Sequence, residues 1–392
     1  MATKDYDALA VELHKKYRGK IKIASKVLLR NREDLSTAYT PGVAEPCRRI
    51  AQHPNDVYTY TAKGNVVGIV TDGSAVLGLG DIGPEASLPV MEGKAALFKV
   101  FGGIDAIPIA IKSKDVEEIV DTVARSSAWL GGINLEDISA PRCFEIERRL
   151  QEKLDIPVFH DDQHGTAIVV LAGLTNALAL AEKKFADIKI VISGAGAAGD
   201  AITRLLMHAG AKTIILVDRS GAIYPGRPVN MNPEKEDIAK ITNPHHEQGT
   251  LHEVMQGADV FIGVSAPGLV TAEMIKSMNT QPIVFAMANP IPEIMPDIAK
   301  DSGAFIVATG RSDFPNQINN VLAFPGVFKG ALKIRARVIN TEMKMATAKA
   351  LASFVKEPTV ERIIPSPFDK GVAQAVARAV MKAAKKTQVN RI

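Results

Sequence analysis

Apolar positions along this chain recur with two periods, and the switches between them mark out the elements. Leu9, Leu13 and Tyr17 stand four apart, so the first forty residues read as helical. Pro41, Gly42 and Pro46 then interrupt any long helix between Ser36 and Pro46. Val66 to Val70 is a short apolar run of strand type, followed by a glycine-rich loop from Gly73 to Gly83. Leu88 to Phe101 reads as helix, Ala106 to Ile111 as strand and Lys114 to Leu130 as helix. Two more short apolar runs, Gly131 to Leu135 and Ile156 to Phe159, each lead into a pair of acids: Glu136-Asp137 and Asp161-Asp162. Thr166 to Lys183 is apolar nearly all round, which predicts a buried helix.

Ile188 to Ile192 opens a second series. A helix over 200–209 and strands over 213–217, 260–263, 283–286 and 304–308 follow. Strands alternating with helices predict mostly parallel sheets with right-handed crossovers, hence an α/β protein. The remainder, Phe328 to Ile392, is Ala-rich and helical. A chain of 392 residues exceeds one ordinary core. The expected division is a domain over 1–163, a second over 164–327, and a helical segment over 328–392 that packs back on the first.

Composition narrows the function classes. Hydrophobic residues at 46% and charged residues at 23% fit a soluble globular protein. A net charge of +4 does not call for nucleic acid, though it mildly favours an anionic small molecule. Lys382 to Lys386 reads as favourable charge at the end of a surface helix rather than a tail for RNA or membrane. The start carries Asp5, Asp7 and Glu12 with no apolar signal-peptide core, and no stretch matches the uncharged length of a spanning helix. Cys47 and Cys143 stand far apart without metal spacing, which fits a reducing cytoplasm.

Gly194-Ala195-Gly196-Ala197-Ala198-Gly199 follows the strand at 188–192 and opens a helix, the context of a dinucleotide fingerprint. The first glycine allows the tight turn, the second lets backbone approach a pyrophosphate, and the third lets helix and strand pack closely. Asp218 ends the next strand, where a carboxylate bonds the ribose hydroxyls; it tips the reading slightly towards NAD, while Arg219 beside it keeps NADP open. Gly78-Leu79-Gly80-Asp81-Ile82-Gly83 matches the same spacing but runs into Pro84 and Pro89, so it reads as a loop that lets backbone approach a ligand or the other domain. The predicted fold is therefore a Rossmann-type doubly wound nucleotide domain plus a second α/β domain.

Carboxylates at the ends of neighbouring strands make a hard-oxygen pocket suited to Mg²⁺ or Mn²⁺. With a nicotinamide site, such an ion points to metal-assisted oxidation of a hydroxy acid. Plainer alternatives stand beside each residue: adjacent acids are commonly exposed, Lys94 alone would be a solvated helix lysine, and Tyr39 a packed surface aromatic. His160 and His164 flank the second acid pair but have no cysteine near them, so a supporting role is preferred to zinc.

The runs Ala38-Tyr39-Thr40-Pro41-Gly42-Val43-Ala44, Thr71-Asp72-Gly73-Ser74-Ala75-Val76-Leu77-Gly78-Leu79-Gly80-Asp81 and Phe159-His160-Asp161-Asp162-Gln163-His164-Gly165-Thr166 resemble those of the malic enzymes. So do Phe285-Ala286-Met287-Ala288-Asn289-Pro290 and Asn319-Asn320-Val321-Leu322-Ala323-Phe324-Pro325-Gly326, all in the order of the short prokaryotic form. The resemblance implies oxidative decarboxylation of (S)-malate to pyruvate and CO2 with reduction of NAD or NADP, and a homodimer or higher homo-oligomer. It implies that Glu136, Asp137 and Asp162 hold the divalent metal, that Tyr39 is the general acid and Lys94 the general base, and that Asp161 lies between lysine and metal. Asn289 and Asn320 match positions that hold malate or the nicotinamide end of the cofactor. Longer relatives carry an arginine where this chain has Ala75, leaving the distal carboxylate to Ser74 and loop N–H groups or to a cation elsewhere. A redox-neutral conversion of malate to lactate and a metal-free dehydrogenase remain as alternatives.

Overall fold

The computed structural model describes residues 5–76 and 78–392; Leu77, in the glycine-rich loop, and residues 1–4 lie outside the described part. Four helices lead in: α1 (Tyr6–Tyr17), α2 (Arg32–Ala38), α3 (Ala44–Gln52) and α4 (Val57–Tyr60). The expected helix over the first forty residues is thus two helices with irregular chain between them. Arg18 ends α1 in the left-handed region at φ 53°, and Gly19 follows at φ 107°, a conformation that an L side chain rarely adopts. Among the described residues nothing before Val66 is buried.

The first sheet holds β1 (Val66–Thr71), β2 (Asp105–Ala110), β3 (Gly132–Leu135) and β4 (Val158–His160), all parallel in the order β2-β1-β3-β4. Helices α5 (Pro84–Leu97), α6 (Val116–Ser126) and α7 (Arg142–Lys153) make the crossovers. Successive residues of β1 face opposite ways: Val67 and Ile69 join the main core, Val66 and Val70 a second core with Ile133, Leu135, Cys143 and Ile146.

Helix α8 (Asp161–Leu180) starts directly after β4, five residues earlier than the periodicity predicts. Its apolar surround is buried between layers, so a helix long and apolar enough to cross a membrane by composition is here 72% buried core.

The second sheet is built from β5 (Lys189–Ser193), β6 (Thr213–Asp218), β7 (Gly221–Ala222), β8 (Val260–Gly263), β9 (Ile283–Ala286) and β10 (Ile306–Thr309), in the order β10-β9-β8-β5-β6-β7. Only the β6–β7 pairing is antiparallel. Helix α9 (Ala197–His208) follows β5, and α10 (Pro233–Ile241), α11 (Leu251–Met255), α12 (Ala272–Lys276) and α13 (Pro296–Asp301) fill the later connections. The chain closes with α14 (Phe324–Lys333), α15 (Thr341–Phe354) and α16 (Val372–Lys386). Phe324 and Phe328 of α14 lie 4.6 and 5.4 Å from Phe98, and Phe328 lies 5.9 Å from Phe159 on β4. These aromatic contacts carry the chain back onto the first sheet, and one continuous core joins both sheets to the final helices.

Candidate active site

At the carboxyl ends of β3 and β4 five ionisable side chains converge. Glu136 and Asp137 leave β3, and Asp161 and Asp162 form the first turn of α8, where free N–H groups and the helix dipole favour negative charge. Glu136, Asp137 and Asp162 each offer an oxygen within 4.8 Å of the others. Asp137 stands at φ 54°, a conformation that costs free energy for a residue with a side chain. It is held there by its N–H donating to Asp162 Oδ2 at 2.8 Å and its carbonyl accepting from Ala75 N at 3.0 Å.

Lys94, on α5, is not a solvated lysine: only 7% of its side chain is exposed. Its Nζ donates to Asp161 Oδ2 at 2.5 Å, lies 2.8 Å from Glu136 Oε1 and sits 4.3 Å over the Phe324 ring. Burial works against its charge, but Asp161, Glu136 and Asp162 outweigh burial and hold the ammonium firmly protonated. The carboxyls respond oppositely. Burial first, then mutual repulsion, raises Asp137 to about 9, while burial opposed by Lys94 leaves Glu136 and Asp161 at about 7 and Asp162 at about 6. Asp137 Oδ2 is buried with no hydrogen-bond partner among the described residues. Four carboxyls around one ammonium, with an orphaned oxygen aimed among them, fit a hard divalent cation.

Behind this cluster lies a second network that the sequence motifs do not announce. Lys344 Nζ, from α15, meets His164 Nδ1 at 3.0 Å, and His164 Nε2 meets Glu147 Oε1 at 2.9 Å. An ammonium can only donate, so Nδ1 accepts and Nε2 carries the hydrogen that bonds Glu147. Glu147 also accepts from the His160 N–H at 3.1 Å and from Gln163. Burial alone would raise the Glu147 carboxyl, but His164 and Lys344 bring it down to about 2. The network therefore clamps the start of α8, which carries Asp161 and Asp162, to α7 and α15. Both histidines flank the acids without joining the metal-type donor set. His160 is fully buried and neutral because burial holds it at about 4; among the described residues neither ring nitrogen has a hydrogen-bond partner, and Nδ1 lies 3.8 Å from Asp162 Oδ2.

Ser74 arrives at the site with its hydroxyl committed. It donates to Asp72 Oδ1 at 2.5 Å and accepts from Ser139 N at 2.9 Å and Arg142 Nη2 at 3.0 Å. Arg142 also pairs with Asp72 at 2.6 Å, which puts a cation beside Ser74, the residue before Ala75. Asn320, on the turn before α14, lies beside Asp161. Asn289 follows β9, and a side chain at Gly78 (φ 75°) would come within 2.8 Å of its carbonyl oxygen. The glycine-rich loop of the first sheet thus abuts the second. Tyr39 does not join Lys94: it is 66% exposed at the end of α2, and the polar contacts of Lys94 within the chain are Glu136 and Asp161.

On the second sheet, Gly194 turns at φ 116° with Val264 O 2.6 Å from any added Cβ, and Gly199 would clash with Gly194 O at 1.8 Å. Gly196 faces open space, and Ala197, Ala198 and Gly199 open α9. A cavity of about 1030 Å³ begins at Gly194, Ala195 and Gly196 and runs to Asp218, Arg219 and Lys235. Such a volume, at the carboxyl ends of parallel strands where a helix begins, suits a dinucleotide.

Comparison with known proteins agrees with this geometry. Residues 18–151 match the malic enzyme N-terminal domain and 163–385 the malic enzyme NAD binding domain. The chain is 59% identical to the bifunctional malic/malolactic enzyme of Bacillus subtilis, over 98% of this chain and 94% of that one. It is 58% identical to the NAD-dependent malic enzyme of Geobacillus stearothermophilus, over 95% and 78%. The crystal structure of malic enzyme from Pyrococcus horikoshii superposes with a TM-score of 0.94 at 50% identity, covering 98% of this chain and 92% of that one. With both family domains matched in order and the acid cluster and dinucleotide cavity each on its own sheet, the chain belongs to the malic enzyme family.

Proposed function

We propose that this enzyme oxidises and decarboxylates (S)-malate to pyruvate and CO2 with NAD or NADP. The observation that carries the reading is the buried Lys94, held between Glu136 and Asp161 with Asp137 and Asp162 beside them. Glu136, Asp137 and Asp162 would hold Mg²⁺ or Mn²⁺, and the Gly194 to Gly199 turn, Asp218, Arg219 and Asn289 would border the dinucleotide. When bound, the divalent ion supplies the positive charge that lets an enolate develop as CO2 leaves, and the nicotinamide accepts the hydride. The residues do the rest. Lys94 gives a proton to Asp161 Oδ2 across their hydrogen bond, and the amine so freed takes the proton of the C2 hydroxyl, which leaves the lysine charged again and Asp161 protonated. Asn320 and the loop around Ser74 orient the carboxylates, and Tyr39 Oη delivers a proton to C3.

The exposure of Tyr39 suggests where it acts. Residues 5–65 bury nothing, yet they expose Tyr6, Leu9, Leu13, Tyr17, Leu28 and Leu29. So large an exposed apolar surface, on α1 and the irregular chain after it, needs cover. We read it as the contact with a second copy, which brings Tyr39 to that copy's acid cluster. The divisions 1–163, 164–327 and 328–392 describe the chain on this reading, and the free thiols of Cys47 and Cys143 suit a cytoplasmic setting.

Malate, Mn²⁺ and either nucleotide should give a rise at 340 nm with pyruvate as product; no rise would end the proposal. Lactate in place of pyruvate would assign the redox-neutral alternative, and turnover unaffected by EDTA a metal-free dehydrogenase. Light scattering should give at least the dimer mass, and Leu13→Glu should reduce that mass and the activity together.

A further inference from the structure

The end of the dinucleotide cavity carries a charge pattern that the sequence expectation for Asp218 does not anticipate. Asp218 ends β6, where a free carboxylate would bond ribose hydroxyls. Here its oxygens are already occupied. Oδ1 accepts from Ser220 N at 2.8 Å and Arg227 Nη1 at 2.8 Å. Oδ2 accepts from Arg227 Nη2 at 2.7 Å, Asn230 Nδ2 at 3.1 Å and Lys235 Nζ at 2.6 Å. A carboxylate has about four lone-pair sites, and five donors fill them. Burial opposes its charge, but the hydrogen bonds of Arg227 and Lys235 prevail and hold Asp218 at about 2, so it stays ionised.

Arg227 is nearly buried, at 2% exposure, and its fork is locked on Asp218. Lys235 is 15% exposed and lines the cavity, as does the exposed Arg219. Asp218 is the one carboxylate among the described residues lining the cavity, and that lining also holds three cations, Arg219, Arg227 and Lys235. Glu253, near the rim, is turned back into the cap of α11, accepting from Thr250 N at 2.6 Å. The region therefore carries net positive charge exactly where the adenosine ribose would lie, beyond the strand after the fingerprint.

On the reading that this cavity holds the dinucleotide, we infer that Arg219 and Lys235 form a subsite for a 2′-phosphate and that the enzyme binds NADP(H) in preference to NAD(H). In this arrangement Asp218 is a positioning residue that orders Arg227 and Lys235, rather than the ribose ligand. A phosphate dianion gains charge-assisted hydrogen bonds from Lys235 and Arg219, whereas a 2′-hydroxyl meets a carboxylate with no acceptor site to spare.

Calorimetric titration of the purified enzyme with NADP⁺ and NAD⁺, without malate, tests this. NADP⁺ should bind at least about tenfold more tightly, the worth of one charge-assisted hydrogen bond. Rising salt should narrow the ratio. Lys235→Gln and Arg219→Ala should each cut the ratio by about tenfold, mainly by weakening NADP⁺. Adenosine 2′,5′-bisphosphate should likewise displace NADP⁺ better than 5′-AMP. Equal or tighter binding of NAD⁺ overturns the inference, and malate turnover in the same sample would leave the catalytic reading standing. An NADP⁺ preference untouched by both substitutions also overturns it, because the preference would then arise elsewhere. Binding of neither nucleotide removes both the cavity assignment and this one.

Discussion

The acid cluster of the first sheet and the Asp218 cluster of the second use the same ingredients to opposite ends. Around Lys94, one ammonium faces four carboxyls, three of them pushed up to about 7 or above, and an Asp137 oxygen lies buried without a hydrogen-bond partner among the described residues. Around Asp218, one carboxylate is paired with Arg227 and Lys235 and held at about 2 with its lone pairs filled, and Arg219 adds a third cation to the cavity lining. Burial opposes charge in both places, so burial alone does not separate them. The sign of the local excess does. Surplus carboxylate makes the first cluster a place for a cation, and surplus ammonium and guanidinium make the second a place for an anion.

The comparison breaks most visibly at Asp162. Asp162→Asn removes one negative donor and should lower malate turnover by about a thousandfold, while nucleotide affinity stays within about twofold by calorimetry. Joint loss of both would point to misfolding. Dialysis against EDTA should likewise abolish turnover, and Mn²⁺ should restore it.

Lys94→Met comes next, because it leaves Asp161 and Glu136 buried without their ammonium. Breaking a buried pair by removing one partner costs about 3–5 kcal/mol, so the urea midpoint should fall well below that of the parent. An unchanged midpoint would mean that the carboxyls are already neutral.

Glu147 gives a pH signature. Its carboxyl is lowered from 4.5 to about 2 in the fold, so its contribution is present above pH 4.5 and declines as pH falls towards 2. That contribution is about 3 kcal/mol at neutral pH. Glu147→Gln should lose it at pH 7 and show a smaller difference from the parent near pH 3, as read by denaturant unfolding at both values. A difference independent of pH would show that packing, not ionisation, is what Glu147 supplies.

The smallest effect should come from Arg204→Ala. Its pair with Asp200, four residues earlier on α9, is nearly half exposed at the arginine. The loss should be under about 1 kcal/mol, with the nucleotide ratio unchanged. A change in that ratio would mean that the anion subsite extends beyond Arg219 and Lys235.

Much of the molecule is legible from local pattern. The strands at 260–263 and 283–286 fall where the apolar runs lie, because parallel strands buried on both faces are continuous apolar segments. The fingerprint glycines at 194 and 199 are legible because each answers a backbone contact that no other residue could make. Both acid pairs are likewise visible as the ends of short runs. The start of α8 was not visible: Asp161 and Asp162 are polar, so the periodicity begins only at Thr166, although the helix begins at Asp161.

By itself the sequence determined the α/β class, the two acid pairs, the fingerprint and the family, since each depends on residue types at short spacing. Only the tertiary structure decided what surrounds each charge. Lys94 meets Asp161 across 67 positions, and Lys344 meets His164 across 180. Asp218 is filled by Arg227 and Lys235 from the chain beyond β6, and Tyr39 is left exposed on an arm that buries nothing. Electrostatic character depends on distance and burial in space, and a one-dimensional pattern holds neither.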